Sequence, residues 1–80
     1  MKTVYQQEIV KHENECIVQH LYMIMEWDHK YIVSFYNRVR GFSGCRDDGD
    51  NFVYPKPFDT VVEAHEAMVK FKQVNGDYED

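Results

Sequence analysis

The chain has 80 residues, of which 44% are hydrophobic and 15% aromatic, and a net charge of −5. Such a composition excludes a disordered segment, and no apolar run approaches the roughly 18 residues of a membrane-spanning helix. Charge is uneven: residues 1–46 carry six basic and five acidic groups and residues 47–80 three basic and nine acidic, a balance that disfavours nucleic acid and anionic membranes and suits basic partners.

A chain of this size reads as one domain over residues 1–80, burying only about 60–65% of its unfolded surface. The start, Met1-Lys2-Thr3-Val4-Tyr5, lacks the apolar stretch of a signal peptide. Two cysteines, Cys16 and Cys45, are fewer than a small secreted scaffold normally carries, so both read as free thiols and the location as cytoplasmic.

In chain order, Val4, Tyr5, Ile9 and Val10 suit a strand over residues 3–12 that turns at Glu13-Asn14-Glu15, although Thr3-Val4-Tyr5-Gln6 also fits the start of a short helix. The strand is preferred. Cys16–Trp27 and Lys30–Tyr36 are apolar at both alternating sets of positions, where a one-sided sheet would alternate apolar and polar. With Asp28-His29 as the turn, Trp27 opposes Lys30, Met25 opposes Ile32 and Tyr22 opposes Phe35. One face then holds Ile17, Leu21, Met23, Met25, Trp27, Ile32 and Tyr36, and the other Val18, Tyr22, Ile24, Tyr31, Val33 and Phe35. Both need cover.

Arg40–Asp50 holds three of the four glycines and no periodicity, which predicts a long mobile connection. Asn51–Tyr54 is a short strand stopped by Pro55 and Pro57. Thr60-Val61-Val62-Glu63 is a capping box that opens a helix, with Val61, Ala64, Ala67, Met68, Phe71 and Val74 on one side. Asn75-Gly76 ends it, and residues 75–80 read as a frayed acidic tail. The expected fold is α+β: an antiparallel three- to four-stranded meander with one C-terminal helix packed on one face.

No catalytic constellation emerges. His12, Cys16 and His20 recur every four residues, but four residues of strand span roughly 13 Å, too far for two ligands of one ion. Asp47-Asp48-Gly49-Asp50 lacks the glycine and glutamate of a calcium loop, because Val53 and Asp59 stand at those positions. Neither a metal nor a cofactor is expected, and the chain reads as non-enzymatic. The candidate binding groups are Asp47, Asp48 and Asp50 in the acidic loop and the sheet aromatics Tyr22, Tyr31 and Phe35, with a basic protein surface as partner and a homodimer as a further possibility.

Two resemblances extend this reading. Strands followed by Phe58-Asp59-Thr60-Val61-Val62-Glu63-Ala64 and a closing helix resemble the arm-type DNA-binding domain of phage integrases, which implies a sheet presenting Arg38 and Arg40 to DNA. A small Tyr-rich chain, acidic through Asp47, Asp48, Asp50, Asp59, Glu63 and Glu66 and without catalytic groups, resembles in kind the phage-encoded anti-CRISPR inhibitors. That likeness implies a protein-binding inhibitor that occupies a basic surface of a host nucleic-acid-handling protein.

Overall fold

Two long strands joined by a two-residue turn set the frame. The computed structural model of the chain describes residues 1–13, 15–41 and 48–77. Strands β1 (Lys2–Glu13), β2 (Cys16–Trp27), β3 (Lys30–Gly41) and β4 (Asp48–Val53) form one antiparallel sheet in the order β1-β2-β3-β4, followed by the helix α1 (Val61–Val74). The fold is α+β, a four-stranded meander with its C-terminal helix packed on one face.

Trp27 pairs with Lys30, Met25 with Ile32 and Tyr22 with Phe35, the register that a turn at Asp28-His29 dictates. Both turn residues have positive φ, 53° and 61°, the two left-handed conformations of a type I′ turn. Residues 3–12 are a strand, and β1 pairs with β2 from Lys2↔Glu26 to Glu13↔Cys16, with a bulge between Thr3 and Tyr5.

The helix starts where its capping box places it, with the Thr60 hydroxyl accepting from the Glu63 N–H at 3.2 Å. Ala64 and Met68 bury against Tyr22, Ile24 and Val33. Full burial of Ile24 and Met68 contributes about 1.5–3 kcal/mol each. Beyond them the Phe71 ring meets Phe35 at 5.2 Å and Phe52 at 5.0 Å between centroids. After β4 the chain keeps to the edge of β3: Tyr54 donates to the Val33 carbonyl at 2.9 Å, and Tyr31 and Phe58 exchange two backbone bonds of 2.8 Å.

Several expectations change. Val61 and Val74 are exposed, and Lys72 takes an inward position that the apolar stripe did not assign to it. Residues 75–77 are not frayed, because Asn75 caps the helix and Asp77 is tied to β1 and β2; residues 78–80 lie outside the described residues. β3 runs on to Gly41 and β4 begins at Asp48, so both ends of the expected connection are strand, and residues 42–47 lie outside the described residues. Gly49 allows close approach there: a Cβ would stand 2.6 Å from the Tyr36 hydroxyl, so a larger residue would push that ring aside. Cys16 is disulfide-bonded, which overturns its reading as a free thiol and removes one argument for a reducing compartment; Cys45 lies outside the described residues. No described helix is long and apolar enough to cross a membrane.

Candidate functional site: the open sheet face

Strand alternation divides the sheet's side chains between two faces. The even-numbered residues of β2 lie on the face that carries α1, beside Tyr5, Gln7, Ile9 and Lys11 of β1 and Val33, Phe35 and Asn37 of β3. The odd-numbered residues point the other way, where the described residues provide no second layer. That open face has an apolar centre of Leu21, Met23, Met25 and Ile32, each half-buried only by its neighbours in the sheet, extended by Tyr36 and by exposed Val53 and Trp27.

A polar row crosses one end of this face. Gln19 of β2 donates to Glu8 of β1 at 2.8 Å and accepts from Arg40 of β3 at 3.1 Å, and Arg38 stands one alternation nearer the apolar centre. At the other end, Trp27, Ile32, Val53, Tyr54 and Pro57 line a groove of about 220 Å3.

The expected binding aromatics sit on the opposite side. Tyr22 is fully buried beneath α1, and Phe35 lies between the rings of Tyr22, at 4.9 Å, and Phe71. Tyr31 is half-buried beside Phe58, and its hydrogen bond to Glu26 pushes its pKa up. These three residues are core and core margin. The face that lacks cover is the other of the two derived from the register, because the one helix covers only one. Of the acidic candidates, Asp50 is an exposed residue of β4, not of a loop, and Asp48 belongs to the same strand. Asp47 lies outside the described residues.

Sequence reasoning did not find the polar cluster at the C-terminal end of α1. The Asp77 carboxylate accepts from the Tyr22 hydroxyl, meets His20 Nδ1 at 2.5 Å and ion-pairs with Lys11. Asn75 Nδ2 donates to the same hydroxyl at 3.1 Å. Burial alone would raise the pKa of Asp77, but hydrogen bonds from Lys11, Tyr22 and His20 outweigh it and hold the carboxyl below its ordinary value. Burial first, and then the neighbouring carboxylate, pushes the Tyr22 phenol up. The members come from three elements and share no motif, so only the fold reveals them. Among the described residues no group of three or more histidine, cysteine or acidic side chains is placed to hold a metal ion.

No known protein family matches the chain, and comparisons with curated proteins and with solved structures return no match.

Proposed function

We propose that this chain is a non-enzymatic protein-binding module that binds through the open face of its sheet, with a second copy of the chain as occupant. The apolar centre of Leu21, Met23, Met25 and Ile32 on an uncovered face carries this reading. Four strands about 4.8 Å apart and about eight residues at about 3.3 Å each make a face of roughly 500 Å2 in projection. Protruding side chains raise the accessible area toward the ~800 Å2 per partner of a standard interface.

Charge on the face is self-complementary. Glu8 stands on β1 and Arg38 and Arg40 on β3, on either side of β2. A two-fold axis along the strands, which pairs like patches, carries Glu8 of each protomer toward the arginines of the other. Face-to-face sheets at about 10 Å would close the apolar centre into a second core.

The helix layers of such a dimer point outward with Asp59, Glu63 and Glu66 exposed, and Asp50 lies exposed on β4. This arrangement supports the inhibitor reading, in which the acidic outer layers occupy a basic surface of a nucleic-acid-handling protein in the cytoplasm. The integrase-arm reading draws on Arg38 and Arg40, but the methionines and leucine beside them offer nothing to phosphate. Sedimentation equilibrium tests the proposal. The parent should sediment at twice the 9.6 kDa of the chain, and Met23→Asp should sediment as a folded monomer. A parent that stays monomeric at ~100 μM would remove the second copy as occupant.

A further inference from the structure

α1 packs its backbone on β2 and β3 and reaches over β1 with side chains, His65 against the Tyr5 ring and Lys72 against Gln7 and Tyr5, which leaves a gap between helix and strand. The gap is a cleft of about 460 Å3 whose lining includes Tyr5, Gln7, Ile9, Lys11, Lys72 and Asp77, within the size range of small-molecule sites. It lies on the face opposite the proposed dimer interface.

Its charges are unbalanced. The Asp77 carboxylate is engaged by Lys11, His20 and Tyr22. Lys72 is only 9% exposed and has no carboxylate partner among the described residues. Its ammonium donates to the Gln7 amide oxygen and, at 3.4 Å, to the Tyr5 hydroxyl, and it sits 5.4 Å from the ring centres of both Tyr5 and Tyr22. Neutral acceptors and ring faces stabilise a buried cation, yet they leave its charge uncompensated. Lys11, Lys72 and Asp77 together leave the cleft one positive charge, inside a chain of net −5. The Gln7 amide oxygen accepts from both Lys72 and the Tyr5 hydroxyl. Its amide nitrogen has no acceptor among the described residues and remains available as a donor.

We infer that the cleft binds a small organic oxyanion, a carboxylate or phosphate group seated against Lys72 with Lys11 and the Gln7 amide nitrogen completing its donors. Ile9 and the Tyr5 ring accommodate the apolar part. A charge-assisted bond to Lys72 in a partly desolvated cleft is stronger than one at an exposed lysine, so the seat should outcompete exposed Lys56 and Lys70.

Amide NMR titration of the whole chain tests this, with inorganic phosphate in one arm, succinate in another and sodium chloride at matched ionic strength as the reference. Saturable shifts should concentrate at Gln7, Lys72, Gly76 and Asp77 in the phosphate arm, the succinate arm or both, and the stronger arm names the headgroup. Lys72→Met, which keeps the length of the side chain, should weaken binding at least tenfold. If that variant does not fold, Lys11→Met should weaken binding severalfold. Met23→Asp should bind as the parent does, which separates this site from the sheet face. Shifts that follow the chloride reference, or affinity unchanged in the foldable lysine variant, would overturn the inference.

Discussion

The hydroxyl of Tyr22, in the middle of β2, donates to the carboxylate of Asp77, 55 residues further along the chain and just past the end of α1. This bond fixes the C-terminal end of the helix to the sheet, while Ala64 and Met68 fix its middle by burial. Tyr22→Phe keeps the ring but leaves Asp77 and the Asn75 amide short of a partner. The expected loss is about 1–3 kcal/mol in urea unfolding. A double-mutant cycle with Asp77→Asn should show coupling, because the two groups share one hydrogen bond.

Asp77 also sets the acid limb of stability. Its carboxyl is held below the ordinary value of 3.8 in the folded chain, so folding favours the charged form. That stability is present above the unfolded pKa and is lost as the pH falls through the folded one. The urea midpoint should therefore gain no slope from this group between pH 7 and 5 and should fall below about pH 4. Asp77→Asn should flatten that limb. Asp59 is lowered too, by Lys30, but both of those side chains are exposed and contribute little.

Tyr22 behaves in the opposite sense at high pH. Its folded pKa is raised by burial and by Asp77, so the protein keeps this contribution below about pH 10 and loses it as the pH climbs further. Absorbance at 295 nm should show one phenolate that appears only together with unfolding, and Tyr22→Phe should remove that step.

The start of α1 gives a separate test. The Thr60 hydroxyl satisfies the Glu63 N–H, and Thr60→Ala should cost about 1 kcal/mol. In a domain of this size the melting temperature should drop by roughly 4–8 °C. A drop of less than a degree would mean that the cap contributes nothing.

What could be read from residues alone was what local chemistry dictates. The apolar runs on both sides of Asp28-His29 placed the hairpin and its register, and Thr60 with Glu63 placed the helix start. β4 was foreshortened because Gly49 and the aspartates argue against a strand, while an edge position and the Tyr36 ring lying over Gly49 stabilise one. Both sheet faces were derived correctly, but which of them α1 covers depends on the connection from Val53 to Thr60, which has no periodicity. Tyr22, Tyr31 and Phe35 therefore read as partner-facing residues, although the helix side holds them. Lys72 and Asp77 carried no signal, since a lysine inside a helix and an aspartate after a glycine ordinarily face water.

The open face and its occupant are tested most directly by intermolecular NOEs in a sample that mixes isotope-labelled and unlabelled chains. A dimer through the open face predicts contacts between protomers from the Met23 and Met25 methyls to Leu21, Ile32 and Tyr36, and none from Ala64 or Met68. The absence of intermolecular NOEs at millimolar concentration, or NOEs confined to the edge of β1, would contradict it.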